Sequence, residues 1–254
     1  MNSIDLNSDM GEGYGPWPMG DDERLARLVS SINVACGFHA SDPGTMHRTV
    51  RLAKRHGVAI GAHPSYPDRV GFGRRALAAT PDEVRDDVTY QVGALWAFCR
   101  AEGVPLRHVK PHGALYNAAA QDEALATAIC EAVRAIDPEL VVVALANSRM
   151  LSVARRLGLR AAGEAFADRA YTREGQLLSR REPGAVLHEP AVVAARAVRM
   201  ARERRITAAD GTEISVDAET ICLHGDTPGA ADLAAAVRAA LDGEGIAVRP
   251  LRGE

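Results

Sequence analysis

The sequence predicts an α/β protein built as a single-domain β/α barrel of seven or eight strands. Short apolar segments alternate with helical segments along the chain, and most of these strands are apolar on both faces, as buried parallel strands are. The length of 254 residues is ordinary for one such barrel. We therefore predict one domain over residues 1–254, with a small hairpin inserted near 206–216.

The elements follow in chain order from a first strand that carries Asp5 and passes into a glycine-rich loop. Further strands are predicted at 31–38, 58–62, 106–109, 140–145, 159–162, 220–223 and 246–248. Helices are predicted from near 21 and at 44–56, 80–102, 122–135, 150–157, 190–204 and 230–241. The helix from Thr80 is typical in its start, because a capping residue precedes Pro81 and two acidic residues fill the first turn.

An open, doubly wound sheet is the alternative architecture. The first loop does not favour it, because Gly11, Gly13 and Gly15 form a Gly-x-Gly-x-Gly run instead of the dinucleotide-binding Gly-x-Gly-x-x-Gly run. A closed or nearly closed barrel remains the prediction.

Composition narrows the function classes. The chain is 47% hydrophobic and 25% charged, which is typical of a globular protein, and it contains no apolar run as long as a membrane span. The formal charge of -3 gives no electrostatic reason to expect nucleic acid or a membrane surface as a partner. The sequence begins with a polar strand and not with a signal peptide, so the expected compartment is the cytoplasm.

Four scattered cysteines, which form no Cys-x-x-Cys pair, argue against a disulfide framework or a structural zinc site. We expect buried thiols.

Polar side chains collect at the carboxyl ends of the predicted strands, where the active sites of β/α barrels lie. Alternation along the first strand places Asp5, Asn7 and Asp9 on one face, and Glu12 follows in the loop. The later strand ends carry, in chain order, Asn33, His39, His63, Lys110, His112, Glu164, Asp168, Arg169, His224 and Asp226. Histidines at four matching strand ends favour one shared site.

Six segments resemble the successive signatures of the LamB/YcsF family. They are, in order, DLNSDMGEGYG, NVACGFHASDP, GAHPSYPDRVGFGRR, VKPHGALYN, EAFADRAYTREGQLLSRR and CLHGDTP. The resemblance runs from Asp5 to Pro228. It implies a seven-stranded β/α barrel related to glycoside hydrolases and deacetylases, with one predicted strand outside the closed barrel.

The resemblance also implies an activity, because this family forms the A component of bacterial ATP-dependent 5-oxoprolinase. The expected reaction is hydrolysis of 5-oxo-L-proline to L-glutamate coupled to ATP hydrolysis, with 5-oxoprolinase subunits B and C as partners. A five-membered lactam is a stabilised amide, so its opening requires carbonyl activation, a positioned water and a proton for the leaving nitrogen. Phosphorylation of the lactam oxygen would supply the activation.

Within this scheme we predict a set of catalytic residues. Lys110 would stabilise negative charge, and Asp9 or Glu12 would be the general base. His112 or His224 would protonate the leaving nitrogen. The predicted catalytic residues are Asp9, Glu12, His63, Lys110, His112 and His224. The predicted substrate-binding residues are Asp5, Asn7, Asn33, His39, Arg74, Arg75, Glu164, Asp168, Arg169 and Asp226.

Two other interpretations stay open at this point. One is a metal-dependent amidohydrolase or deacetylase, for which acceptable ligands would be Asp5, Asp9, His39, His63 and His224. The chain has no His-Glu-x-x-His or His-x-His signature, so we assign no metal ligands. The other is a non-catalytic subunit that presents the lactam to its partners. ATP is expected to bind through the complex, because the chain has no Gly-x-x-x-x-Gly-Lys-Ser/Thr run.

Overall fold

Parallel strands close into a barrel in the computed structural model, which describes residues 3–225 and 229–251. The strands are β1 (Ser3–Met10), β2 (Ser31–Ala35), β3 (Ala59–His63), β4 (Leu106–Val109), β5 (Val141–Leu145), β6 (Ala161–Phe166), β7 (Arg205–Thr207), β8 (Glu213–Ser215), β9 (Thr220–Leu223) and β10 (Ala247–Val248). Strands β1 to β6 are neighbours in chain order, and β9 pairs with both β6 and β1 to complete the circle. The predicted seven-stranded, single-domain barrel is confirmed.

The eighth predicted barrel strand lies outside this circle. Strand β10 pairs with the first residues of β1, at Ser3 and Ile4, before β1 enters the barrel. The predicted hairpin is also present, as the antiparallel pair of β7 and β8, and Gly211 in its turn has a φ of 87° that favours glycine.

Helices cover the outside of the barrel. They are α1 (Asp22–Leu25), α2 (Pro43–His56), α3 (Pro81–Glu102), α4 (Gly113–Ala119), α5 (Glu123–Ile136), α6 (Arg149–Arg156), α7 (Pro190–Glu203) and α8 (Ala230–Gly243). The predicted start of α3 is confirmed, because Thr80 and Glu83 form a reciprocal capping box there. No helix in the described ranges is long and apolar enough to cross a lipid bilayer.

The apolar core lies between the barrel and its helices. Outward-facing strand residues such as Leu6, Ile32 and Ile221 are fully buried there. The inward faces of the strands are instead largely polar at the centre of the barrel, where the side chains form a buried hydrogen-bond network. The four cysteines are buried free thiols, as predicted.

Three elements differ from the predictions, and the first is β2, which ends at Ala35 and not at residue 38, shortly before Gly37 takes a positive φ of 96°. Strand β6 extends to Phe166, so Glu164 lies within the strand and not after it, because its carboxylate is paired inside the barrel with Lys110. Helix α4 is absent from the predicted elements, because it has only seven residues and His112 at its start supplies no side-chain cap.

Candidate functional site

Asp5 is the centre of a group of hydrogen bonds at one end of the polar interior. Its carboxylate accepts hydrogen bonds from the hydroxyls of Ser30 (2.7 Å), Ser31 (2.8 and 2.9 Å) and Thr220 (2.6 Å). Ser31 and Thr220 begin their strands, so Asp5 lies towards the amino end of the barrel and not at the carboxyl end as predicted. Burial raises the pKa of Asp5, and the three hydroxyls oppose that shift.

A ring of amides forms the next layer. Asn7 Nδ2 donates to Glu164 Oε1 (2.9 Å), and Asn33 Nδ2 donates to Asn7 Oδ1 and Asp9 Oδ1, both at 2.8 Å. His108 Nε2 donates to Asn33 Oδ1 at 2.8 Å, and burial lowers the pKa of His108 to about 3, so its imidazole is neutral. His108 was not predicted, although its position in β4, two residues before Lys110, places it on the same face as Lys110.

Lys110 occupies the centre of the barrel, at the floor of a cavity. Its Nζ lies 2.9 Å from Glu164 Oε1, 3.1 Å from Asp9 Oδ1 and 3.0 Å from Cys222 Sγ. Burial alone would lower the pKa of Lys110, but the neighbouring Asp9, Cys222 and Glu164 raise it well above its usual value. The ammonium is therefore charged at neutral pH, and the groups that hold it are buried with it.

Three imidazoles and a carboxylate form a second cluster beside Asp9, at the ends of β1 to β4. His63 Nε2 lies 3.4 Å from Asp9 Oδ2 and 3.0 Å from His112 Nδ1. His39 stacks on His112 with ring centroids 3.8 Å apart, and its Nε2 lies 3.2 Å from Glu12 Oε1. Burial, followed by the charges of neighbouring histidines, lowers the pKa of His39 and of His112 well below the usual value.

Asp168 and His224 form a third polar unit, and a ring nitrogen of His224 lies within 4.8 Å of a carboxylate oxygen of Asp9. His224 Nδ1 donates to Asp168 Oδ2 at 2.9 Å, and the ring of Phe166 stacks on the imidazole with centroids 5.2 Å apart. Burial would raise the pKa of Asp168, but His224 and two nearby arginines keep it below its usual value. The ionised carboxylate thus fixes the His224 tautomer and leaves Nε2 able to accept a proton.

The cavity above these groups has a volume of about 580 Å³. Its mouth is strongly basic, and the arginines that line it are Arg74, Arg75, Arg169, Arg180 and Arg181. Arg75 is paired with Asp68, whereas Arg169 is oriented by backbone carbonyls, among them that of Ala185 at 3.2 Å. Burial lowers the pKa of Arg169 to about 10, so it stays charged at neutral pH.

The predicted residues divide into two groups. Those that line the cavity are Asp9, His63, Arg74, Arg75, Lys110, His112, Arg169 and His224. Those buried behind its wall are Asp5, Asn7, Glu12, Asn33, His39, Glu164 and Asp168. Hydrogen bonds and ion pairs within the polar interior hold the second group, although His39 Nδ1, Glu164 Oε2 and Asp168 Oδ1 have no hydrogen-bond partner among the described residues. The structure does not place this group among the residues that line the cavity. Asp226 lies outside the described residues.

Sequence reasoning missed Tyr116 and Phe166, which also line the cavity. Tyr116 lies on the unpredicted helix α4, and burial together with the nearby Glu164 raises its pKa well above the usual value. A larger groove of about 650 Å³, beside Trp17 in the loop after β1, contains none of the predicted site residues.

The chain is similar to known proteins over almost its whole length. The model of the LamB/YcsF family matches residues 4–254. A protein of Agrobacterium fabrum, named as an A component of 5-oxoprolinase, is 55% identical over 249 residues, covering 98% of each chain. A protein of Kocuria rhizophila with the same component name is likewise 55% identical, covering 98% of this chain and 99% of its own.

A solved structure is similar over almost the whole length. The crystal structure of a lactam utilization protein from Thermus thermophilus superposes with a TM-score of 0.93 at 51% identity, covering 98% of this chain and 100% of that one. The chain therefore belongs to the LamB/YcsF family.

Proposed function

We propose that this chain opens the lactam ring of 5-oxo-L-proline, as one subunit of an ATP-dependent 5-oxoprolinase that releases L-glutamate. The observation that carries the proposal is the charged, buried Lys110 at the floor of an arginine-lined cavity, which is also lined by His224, the partner of Asp168. The names of the Agrobacterium and Kocuria relatives support the choice of substrate.

The arginines and Lys110 would bind different ends of the substrate. Arg74 and Arg169 at the cavity mouth suit the carboxylate of 5-oxoproline or a phosphate group, because guanidinium binds both with paired hydrogen bonds. Lys110, deeper in the cavity, would stabilise the negative charge that develops on the lactam oxygen or on a phosphate attached to it. A cation that is held before the reaction begins needs little reorganisation as that charge grows.

His224 is the better candidate than His112 for proton transfer. His112 Nε2 donates to the carbonyl of Phe72 (2.8 Å), and its Nδ1 lies 3.0 Å from His63 Nε2, so neither nitrogen is directed at a substrate in the cavity. His224 uses Nδ1 for Asp168 and lines the cavity. Its Nε2 would take a proton from the attacking water and return it to the ring nitrogen as the C–N bond breaks.

Asp9 is better suited to holding the site together than to acting as a base. Burial would raise its pKa, but His63 and Lys110 hold the pKa well below the usual value, and a carboxylate with a depressed pKa accepts protons poorly. Glu12 lies behind the cavity wall. The general base is therefore assigned to His224, and Asp168 to its positioning.

ATP and the partner subunits complete the proposal. Since the chain carries no P-loop run, ATP-dependent activation of the lactam would be shared with subunits B and C. Dependence on ATP makes the cytoplasm the proposed compartment.

The test is ATP-dependent glutamate release by this chain reconstituted with subunits B and C. His224→Gln and Lys110→Met should each lower kcat by roughly a hundredfold or more, as single electrostatic contacts do in other enzymes. The matched controls are His47→Gln and Lys54→Met, two partly exposed positions on α2 that should leave kcat unchanged. Circular dichroism checks that each variant is folded.

Asp168→Asn separates positioning from a purely structural role. It should lower kcat with little change in KM, because the substrate-binding arginines are intact while the His224 tautomer is no longer fixed. Normal turnover by a complex that contains His224→Gln would instead make this chain a non-catalytic, lactam-binding subunit.

A further inference from the structure

The nitrogens of His63 and His112 face each other with no hydrogen atom between them in the neutral state. His63 Nδ1 donates to the Lys110 carbonyl (2.7 Å), and His112 Nε2 donates to the Phe72 carbonyl (2.8 Å). A carbonyl only accepts, so these two ring nitrogens carry the protons. The other nitrogens, His63 Nε2 and His112 Nδ1, therefore present lone pairs to each other at 3.0 Å. Two such lone pairs repel each other unless a cation lies between them.

Two more donor atoms complete the arrangement. Glu12 Oε1 lies 3.6 Å from His112 Nδ1 and 3.2 Å from His39 Nε2, and the four residues offer ligand atoms that all lie within 4.8 Å of one another. Ligands placed tetrahedrally at about 2.0–2.1 Å from a zinc ion are roughly 3.3–3.4 Å apart. The three separations of 3.0, 3.2 and 3.6 Å between donor atoms lie around this value, so these atoms are close enough together for one small ion.

The surroundings match those of metal-binding histidines. Such a histidine usually donates its second ring nitrogen to a carbonyl or carboxylate, which fixes the tautomer and the ring orientation. His63 and His112 both do so, with carbonyls from the loops after β4 and β3. Both rings also line the cavity, which gives an ion a route from solvent to a cluster that is otherwise buried.

The charges around the cluster are consistent with a divalent cation. Asp9, Glu12 and Glu164 supply three carboxylates within or beside the cluster, and Lys110 lies among them with one ammonium. A divalent ion would offset the remaining negative charge.

We infer that Glu12, His39, His63 and His112 form a binding site for a divalent transition-metal ion. Three imidazole nitrogens and one carboxylate oxygen form a donor set that suits Zn²⁺. The inference concerns metal binding alone and goes beyond the proposed reaction, so it stands or fails without any measurement of lactam hydrolysis.

A second group of donors, Asp9, Cys222 and His224, defines what the experiment must distinguish. It contains a thiol, whereas the proposed site contains only nitrogen and oxygen donors. X-ray absorption spectroscopy of the zinc-loaded, full-length chain separates the two groups without mutation. Zn–N and Zn–O distances near 2.0–2.1 Å with imidazole scattering support the proposal, and a sulfur ligand near 2.3 Å overturns it.

Variants provide an independent test by metal analysis after dialysis and by Co²⁺ absorption spectra. We expect about one equivalent of zinc per wild-type chain and a tetrahedral Co²⁺ spectrum. His63→Gln and His112→Gln should weaken binding by roughly a hundredfold or more, since loss of even an outer partner costs ten- to hundredfold. His47→Gln, a partly exposed histidine on α2, is the matched control and should bind normally.

Two further results would overturn the inference. One is a wild-type chain that retains no zinc and gives no Co²⁺ ligand-field spectrum. The other is loss of metal in His224→Gln but not in His63→Gln, which would move the ion to the group that contains Cys222. The X-ray absorption experiment uses the wild-type chain. It therefore still distinguishes the two groups of ligands if a variant fails to fold.

Discussion

Replacing Lys110 with methionine measures how much the buried ammonium stabilises the fold. Its Nζ lies 2.9 Å from Glu164 Oε1 and 3.1 Å from Asp9 Oδ1, and the side chain is 3% exposed. Methionine keeps most of the apolar stem but leaves two buried carboxylates without this cation. Breaking one buried ion pair costs about 3–5 kcal/mol, so the free energy of unfolding at pH 7 should fall by about 3 kcal/mol or more.

Two further variants show whether charge is the cause. Lys54→Met removes the other lysine of the chain, which is half exposed and donates to the Glu102 carbonyl, and its cost should stay within about 1 kcal/mol. Adding Glu164→Gln to Lys110→Met removes one of the two uncompensated charges and should recover part of the stability. Each value comes from urea denaturation followed by far-ultraviolet circular dichroism.

The stability loss caused by Lys110→Met should depend on pH in a defined direction. In the native chain the pKa of Asp9 is depressed, so its ionised form stabilises the fold above the unfolded pKa of about 3.9, and this contribution is lost as pH falls through the folded value. Without Lys110 the pKa of Asp9 rises, and protonation then relieves the buried charge. The stability gap between Lys110→Met and the native chain should narrow from pH 7 to about pH 5. A loss under about 1 kcal/mol at pH 7, or a gap independent of pH, would refute the reasoning.

Three other outcomes are expected. The purified chain alone should release little glutamate from 5-oxoproline and ATP, and robust turnover without subunits B and C would contradict the proposed division of labour. An amine-reactive reagent should acylate Lys54 in the folded chain and Lys110 only after unfolding, as mass spectrometry of the peptides will show. Gly61→Ala should destabilise the chain by about 1–3 kcal/mol in urea denaturation, because its Cβ would lie 2.0 Å from His108 Nε2. The control Gly93→Ala, in α3 with no atom within 4 Å of the new Cβ, should stabilise it by about 0.5–1 kcal/mol, and equal effects at the two positions would exclude the steric explanation.

Local signals explain why most of the fold could be predicted. The capping box at Thr80 and the Asp42–Pro43 start of α2 are set by residues within one turn of the helix, so sequence alone reveals them. The sequence predicts too short a strand β6, because a carboxylate such as Glu164 ordinarily marks the end of an apolar strand. Whether a carboxylate can lie inside a strand depends on a partner, and here that partner, Lys110, follows a different strand.

Strand geometry predicts which residues meet at the site, but it does not predict the hydrogen bonds that they form there. Strand ends bring Asp9, His63, Lys110 and His224 to one cavity, because parallel strands share a direction. Which nitrogen of an imidazole carries the proton is decided by contacts across the fold. His63 is fixed by a carbonyl 47 residues away and His112 by one 40 residues away, so the facing lone pairs leave no local pattern in the sequence.

Asp9 connects the two charged clusters of the barrel. Its Oδ1 accepts from Lys110 at 3.1 Å and from Asn33 at 2.8 Å, while its Oδ2 faces His63 Nε2 at 3.4 Å. A positive charge gained at His63, from a proton or from a metal ion, therefore competes with Lys110 for the same carboxylate. Because both contacts are buried, solvent screens the interaction between the two positive charges only weakly. A charge gained at His63 therefore weakens the contact between Asp9 and Lys110. Binding of a proton or a metal ion in the imidazole cluster should thus change the strength of the Asp9–Lys110 ion pair. The strength with which Lys110 attracts an anionic ligand should change with it.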